Sequence, residues 1–177
     1  MWAKIKSALN STTGTGMRTL DQIMAREAQE AYYNYMVDKY GVGYVNGNKV
    51  AVAPRVRNLT SAWFVYARDE AIKNIVFSPE TKFFLASSIS LFTRVEELYL
   101  PCANSMGTLS VAGMPALESV VFGSELKSLQ KQAFDSCSNL KKIFYHGTIS
   151  QWRAISKADN WKENTVTVYC YDGSISE

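Results

Sequence analysis

Length, composition and charge place the chain among ordinary globular proteins. Its 177 residues suffice for one domain with an appendage, and an apolar share of 47% excludes a wholly disordered chain. A net charge of +3 without any block of Lys or Arg argues against nucleic-acid binding, which needs a concentrated basic face. No stretch is apolar and long enough to predict a membrane span.

Residues 1–16 are predicted to form an N-terminal anchor segment. Trp2, Ile5 and Leu9 lie at spacings of three and four residues and form a short apolar stripe, which a stretch rich in Ser, Thr and Gly follows. No apolar run of seven or more residues is present, so we do not expect a secretory signal. We expect the segment to order when it binds a partner, such as a virion protein.

Residues 17–47 are predicted to contain one long helix of about twenty residues. Thr19 and Gln22 suggest a capping box with Thr19 as the N-cap, and Gly41 and Gly43 end the helical spacing. Two roles remain open for this helix. It packs on the first coil of the following domain and covers the open core, or it mediates assembly with a partner or with further copies of the chain.

Residues 48–177 contain an apolar phrase that recurs at nearly equal intervals of about 23 residues. The four copies are Ile72–Phe77, Val95–Leu100, Leu117–Phe122 and Leu140–Tyr145. One such unit cannot bury its own apolar face, so the period predicts a β-rich α/β solenoid of about five to six stacked turns. Each phrase alternates inward and outward residues, which predicts one strand of a parallel sheet.

Other apolar columns follow the same register. They are Tyr66, Ile89, Val111 and Phe134 six residues before the phrases, and Asp69, Phe92, Met114 and Cys137 three residues before them. Asp69 is the exception to the apolar pattern. The returning half of each turn is predicted to hold strand, turn and 3₁₀ pieces rather than a helix, because β-prone pairs such as Phe83-Phe84 and Ser128-Leu129 occur there.

The repeat is also predicted to extend in both directions. One further period from Ile143 and Tyr145 leads to Val166 and Val168, which predicts a last strand there. Upstream, Val50–Val52 is predicted to be a degenerate first strand, although its offset from Ile75 and Phe77 is slightly longer than the period.

The stretch from Glu125 to Ile143 closely resembles the BspA-type leucine-rich repeat of bacterial surface proteins. The resemblance rests on Ala133-Phe134, on Cys137 three residues later, and on Asn139-Leu140 at the entry to the strand. Residues 145–173 resemble the usual closing segment of that family. The resemblance is weaker over residues 48–116, and it implies a repeat-built protein that binds a protein or a glycan. The first dozen residues are similar to the opening of proteins encoded by gut bacteria and their prophages.

The residues do not form a pattern typical of catalysis, cofactor binding or metal binding. His146 is the only histidine, and Cys102, Cys137 and Cys170 form no CxxC pair, so the usual zinc sets are excluded. We expect Cys137 to pack in the core, whereas a disulfide that involves Cys102 or Cys170 stays open. The sequence therefore predicts a protein that is not an enzyme, with no catalytic residue, no cofactor and no metal.

The outward face of the predicted sheet is the candidate binding surface. Its central column is Val76, Tyr99, Val121, Phe144 and Thr167, and the column beside it is Asn74, Glu97, Ser119, Lys142 and Thr165. We select Val76, Glu97, Tyr99, Val121, Lys142 and Phe144 as candidate binding residues. An apolar outer stripe arises from ordinary cross-strand stacking, or it is covered by the N-terminal helix, by another copy of the chain, or by a ligand.

These patterns predict a non-enzymatic attachment protein. We expect a structural component of a phage virion, such as a tail or head appendage, which presents the repeats to a cell-surface protein or glycan. Display in several copies, for example as a homo-oligomer, would raise weak individual affinities. A bacterial surface adhesin or host-interaction protein and an intracellular protein-binding scaffold in the cytoplasm remain alternatives.

Overall fold

A computed structural model describes residues 18–45, 50–64 and 72–177 of the chain. Its helices are α1 (Arg18–Tyr40), a 3₁₀ helix (Ser61–Phe64) and α2 (Ile149–Arg153). Its strands are β1 (Gly43–Val45), β2 (Val50–Val52), β3 (Asn58–Leu59), β4 (Asn74–Val76), β5 (Phe83–Phe84), β6 (Ile89–Ser90), β7 (Glu97–Leu100), β8 (Ser105–Met106), β9 (Val111–Ala112), β10 (Ser119–Gly123), β11 (Ser128–Leu129), β12 (Phe134–Asp135), β13 (Lys142–His146), β14 (Ser156–Lys157), β15 (Thr167–Cys170) and β16 (Gly173–Ser176).

The strands build a parallel β-solenoid of about five turns, as the period predicts. The recurring phrases form what we call the front sheet, which consists of the segments β1-β2-β4 and β16-β15-β13-β10-β7. The returning half of each turn adds strands to two further sheets, β14-β11-β8-β5-β3 and β12-β9-β6. Because β5 and β11 lie at the predicted pairs Phe83-Phe84 and Ser128-Leu129, the expectation of a return made of strands is confirmed.

The parallel register follows the predicted spacing in the middle turns. Leu98, Val120 and Ile143 are partners across β7, β10 and β13, and all three side chains are fully buried. Ile89, Val111 and Phe134 are partners across the β12-β9-β6 sheet. The second predicted column, Phe92, Met114 and Cys137, joins the same core cluster. Tyr66 and Asp69 lie outside the described residues.

Two corner columns with left-handed backbone conformation repeat with the strands. The first is Ser87, Leu109 and Gln132, and the second is Leu91, Gly113 and Ser136; φ lies between 53° and 66° in all six. L-residues other than Gly adopt this conformation at a cost of roughly 1–2 kcal/mol each. The sequence pattern offers little sign of these corners, because only one of the six residues is glycine.

The register at both ends of the front sheet differs from the prediction. Ile143 pairs with Val168 and not with Val166, so β15 is displaced by two residues from the predicted position. At the other end Ala51 pairs with Ile75. Ala51 therefore points into the core, and Val50 and Val52 point outward. The turns next to the ends contain extra residues, and loop length decides the register where the repeat becomes irregular.

The described side chains of helix α1 pack on the outer face of the first turn. Its Tyr33 and Met36 form an apolar cluster with Val50, Val52 and Val76. The helix already includes Thr19, so the prediction of Thr19 as N-cap is wrong. The predicted end is confirmed, because Gly41 has a φ of +79° and its N–H donates to the Val37 carbonyl at 2.7 Å. The anchor segment with Trp2, Ile5 and Leu9 lies outside the described residues.

The C-terminal end of the solenoid is closed by α2 and a hairpin. Thr148 and Gln151 form a capping box that begins α2, and Trp152 on this helix is fully buried. The Trp152 indole N–H donates to the Glu177 carboxylate at 2.8 Å. Strand β16 pairs with β15 in the antiparallel direction and ends the run of parallel strands. Neither described α-helix combines the length and apolarity that a membrane crossing requires.

Candidate binding face

The outer face of the front sheet carries one apolar stripe along the whole solenoid. Register and repeat spacing place its members on successive strands: Val52, Val76, Tyr99, Val121, Phe144 and Tyr169. Tyr169 takes the position that the sequence assigned to Thr167, because the last strand is displaced by two residues. Thr167 instead continues the column of Glu97, Ser119 and Lys142.

Helix α1 covers the beginning of this stripe. Val52 is fully buried and Val76 is 7% exposed, and both pack against Tyr33 and Met36. Val76, a predicted binding residue, therefore contributes to the contact between the helix and the sheet, and its contact with a ligand stays a prediction. At this end of the solenoid, the outward apolar residues are therefore explained by the helix that covers them.

Polar contacts orient α1 on the sheet. The Tyr33 hydroxyl donates to the Ala53 carbonyl at 2.7 Å, and the Gln29 side-chain amide donates to the Phe77 carbonyl at 3.1 Å. Arg55 reaches the helix from the solenoid and pairs with Glu30. Its guanidinium holds the pKa of the Glu30 carboxyl below the usual value, chiefly through this hydrogen bond. The helix is thus held by apolar packing and by directional bonds at three separate points.

The middle of the stripe is also buried. Tyr99 is 7% exposed and Val121 is 8% exposed, so neither offers much surface to a ligand. Burial raises the pKa of the Tyr99 phenol well above its usual value. Tyr99 and Val121 were predicted as binding residues on an outward face open to solvent; the structure buries both, and their contact with a ligand stays a prediction.

The stripe opens to solvent at its C-terminal end. The rings of Phe144 and Tyr169 stack at a centroid distance of 5.2 Å and an interplanar angle of 19°. The partner of Tyr169 on β16 is Ser174, which has a short side chain, and 40% of Tyr169 is exposed. Lys142 is also exposed beside this pair. Phe144 and Lys142 are the predicted residues that the structure leaves accessible, and Tyr169 is the member that the sequence analysis missed.

A second aromatic pair continues the same face toward the ends of the strands. His146 and Tyr171 stack at a centroid distance of 6.1 Å and an angle of 21°. His146 is buried, which agrees with a structural role for the only histidine. The stacked pairs Phe144–Tyr169 and His146–Tyr171 thus occupy alternate positions on β13 and at the end of β15; we call these four residues the aromatic platform.

A polar cleft lies where the front sheet is interrupted. Among the described strands, β4 pairs with β2 and β7 pairs with β10, but no ladder joins β4 to β7. The cleft at this break has a volume of about 550 Å³. Its lining is Gln29, Tyr32, Lys73, Asn74, Ile75, Val76, Phe77, Arg94, Glu96, Glu97, Tyr99, Glu118 and Ser119. The predicted candidate Glu97 lies here, half-buried, and not beside the aromatic platform.

The described residues offer no arrangement typical of metal-dependent chemistry. Within them, no three His, Cys, Asp or Glu side chains come together as a metal site would need. Cys102, Cys137 and Cys170 are free thiols, so none of them forms the disulfide that the sequence left open. Cys137 packs in the core as predicted, and burial raises its pKa to about 11, which keeps the thiol protonated at neutral pH.

Comparison with known proteins supports the fold. The crystal structure of the pneumococcal vaccine antigen PcpA, a leucine-rich-repeat surface protein, matches with a TM-score of 0.53 and 16% sequence identity. The match covers 70% of this chain and 36% of PcpA, so the chain spans well under half the length of that protein. No family model matches the chain, and no curated protein matches it either. The leucine-rich-repeat type of solenoid is thereby confirmed, and the narrower BspA type stays a prediction.

Proposed function

We propose that this chain is a non-enzymatic binding protein that attaches to a protein or glycan on a cell surface through the aromatic platform. The observation that carries the proposal is the open, stacked pair of Phe144 and Tyr169 at the end of an otherwise covered stripe. Exposed aromatic rings on a rigid scaffold are typical anchors of binding surfaces, since they bury a large area with little loss of conformational entropy.

The surroundings of the pair support a surface for recognition. The Phe144 and Tyr169 side chains stand on strands that are hydrogen-bonded on both sides, so the rings are held in place before a ligand arrives. Lys142 and Thr167 lie along the same edge and can form hydrogen bonds to a ligand. A flat aromatic surface with a polar border suits a pyranose ring or an apolar protein side chain.

The test is binding of the labelled full chain to intact bacterial and animal cells and to a printed glycan array. Replacing Phe144 and Tyr169 together with Ala should weaken binding at least about tenfold, because the loss of two aromatic anchors removes several favourable contacts. Leu85→Ser is the matched control, since Leu85 is 43% exposed and follows a strand of a return sheet. If the double variant stays folded and binds as the unchanged chain does, the proposal is wrong.

The virion location is a narrower proposal within this function. It is supported by the similarity of the first dozen residues to prophage-encoded proteins and by the apolar stripe of Trp2, Ile5 and Leu9. In this arrangement residues 1–16 bind a virion protein and the solenoid is displayed outward. Mass spectrometry of purified particles should find the chain there, and its loss should reduce particle attachment. Detection of the chain on cells that carry no phage would favour the adhesin alternative instead.

A further inference from the structure

The cleft between β4 and β7 is a second concave feature of the surface, and it shares no lining residue with the aromatic platform. It lies against the flank of α1, from which Gln29 and Tyr32 contribute to its wall. The remaining lining comes from β4, from β7 and the start of β10, and from residues next to these strands, where the front sheet is interrupted. A volume of about 550 Å³ is large enough for one extended side chain and the backbone that carries it.

Two exposed carboxylates stand side by side in this cleft. Glu96 and Glu118 occupy equivalent positions of neighbouring turns, and the Glu118 N–H donates to the Glu96 carbonyl at 2.8 Å. Neighbouring strands are about 4.8 Å apart, so the two side chains leave the sheet close together. Neither carboxylate forms an ion pair within the described part of the chain, although Lys73 and Arg94 also line the cleft.

Gln29 is an independent sign that the cleft receives a hydrogen-bond donor. Its side chain is only 4% exposed, and its amide nitrogen is used in the bond to the Phe77 carbonyl. The Gln29 Oε1 atom is buried and has no hydrogen-bond partner among the described residues. A buried acceptor without a donor is unfavourable, so a ligand with N–H groups would be stabilised here.

We propose that this cleft binds the guanidinium group of an arginine side chain from a partner protein. A guanidinium has five N–H donors in one plane, which can bridge adjacent carboxylates such as those of Glu96 and Glu118. With Glu97, the cleft carries three carboxylates against the two basic groups of Lys73 and Arg94, so its charge favours a cation. The ring of Tyr32 adds an aromatic surface against which a guanidinium can pack.

The experiment is a ¹⁵N NMR titration of the full chain with the peptide acetyl-Gly-Gly-Arg-Gly-Gly-amide. The expected dissociation constant is on the order of 1 mM, since a single side chain supplies most of the contacts. Chemical-shift changes should concentrate on residues 73–77, 94–97 and 118–119 and on the Gln29 side-chain amide. The same peptide with citrulline, which is isosteric but neutral, should bind at least about tenfold more weakly.

Variants of the chain give the matching controls. Glu96→Gln with Glu118→Gln should weaken arginine-peptide binding at least about tenfold, and because both side chains are exposed the variant should remain folded. Glu163→Gln removes an exposed carboxylate that does not line the cleft, and it should leave binding unchanged. The proposal is overturned by equal binding of the citrulline peptide, by shifts that occur elsewhere, or by no shifts at 10 mM peptide (about ten times the expected constant). None of these outcomes bears on the Phe144 and Tyr169 test, because the two sites share no residue.

Discussion

The Tyr33 hydroxyl donates a 2.7 Å hydrogen bond to the backbone carbonyl of Ala53, twenty residues further along the chain. Both residues are buried, at 1% and 0% exposure. This bond joins the centre of α1 to the first turn of the solenoid, and the apolar cluster of Met36, Val52 and Val76 surrounds the contact. The helix is therefore part of the folded domain and limits how much of the outer face is open to a ligand.

Replacing Tyr33 with Phe should lower the free energy of unfolding by about 1–3 kcal/mol. The change keeps the ring but leaves the buried Ala53 carbonyl without its donor, and an unsatisfied buried acceptor costs about that amount. Urea unfolding followed by circular dichroism measures the effect. Tyr35→Phe is the control, since Tyr35 is 46% exposed and its substitution should change stability by less than about 0.5 kcal/mol. Equal midpoints for the two variants would contradict the role of this bond.

A chain that begins at Gly43 lacks α1 and should self-associate. Removal of the helix exposes Val50, Val52 and Val76 on one face of the sheet, and contiguous exposed apolar surface of this kind promotes association. Light scattering measures the ratio of apparent mass to calculated mass. This ratio should be larger for the shortened chain than for the full chain. A folded monomer derived from an oligomeric full chain would instead identify α1 as an assembly device.

Gly123→Ala should destabilise the chain by more than about 2 kcal/mol. A Cβ atom at Gly123 would overlap the backbone carbonyl oxygen of Pro101 on the neighbouring turn, so the turns would have to separate. Gly41→Ala is the comparison, because nothing lies within 4 Å of its Cβ position and only the positive φ of +79° adds a cost, of about 1 kcal/mol. Thermal unfolding of both variants ranks the two costs. A smaller loss of stability for Gly123→Ala than for Gly41→Ala would show that neighbouring turns can move apart at little cost.

The left-handed corner at Ser136 should accept Gly but not Val. Its φ is +53° and its side chain is exposed, so Gly relieves backbone strain and removes only an exposed hydrogen bond to the Asp135 carboxylate. We expect the free energy of unfolding of Ser136→Gly to lie within about 0.5 kcal/mol of the value for the unchanged chain, or above it. For Ser136→Val we expect a decrease of about 1–2 kcal/mol. Ser138→Val, at an exposed position without a positive φ, is the control and should have little effect in the same urea unfolding experiment. Identical losses at both positions would argue against strain at this corner.

Stability should fall as the pH rises from about 9 to 11. Burial raises the pKa of Cys137 to about 11 from the value of 9.0 usual for a thiol. The folded chain thus retains this proton while the unfolded chain releases it, so the contribution is complete below pH 9 and is lost as the pH approaches 11. Unfolding at pH 8 and at pH 10.5 should differ by about 1–2 kcal/mol because of this group.

Cys137→Ala separates this titration from the other alkaline groups. The variant should be less stable at pH 8 because it leaves a small cavity, but its loss between pH 8 and pH 10.5 should be smaller. The remaining slope comes from other groups whose pKa values are raised by burial: Cys102, Cys170, whose pKa is raised to about 11, and Tyr145, whose pKa is raised to about 12. An unchanged slope in the variant would assign the alkaline loss to those groups.

The solenoid and its core could be predicted because the sequence repeats its own structural unit. Leu98, Val120 and Ile143 recur at intervals that place them on successive parallel strands, and each is buried by the next turn. The end of α1 could also be predicted from nearby residues. Gly41 readily adopts a positive φ, and the helix ends there, where the helical spacing stops. Features that depend on nearby residues and on a regular period can therefore be predicted from the amino-acid sequence.

The open part of the outer face was decided only by the tertiary structure. Tyr99 and Phe144 occupy equivalent outward positions of the repeat, yet Tyr99 is buried and Phe144 is partly open. The position of α1, the break between β4 and β7, and the displaced register that brings Tyr169 beside Phe144 all depend on contacts between distant segments. A local period determines which way a side chain points, but exposure depends on what the rest of the chain packs against it.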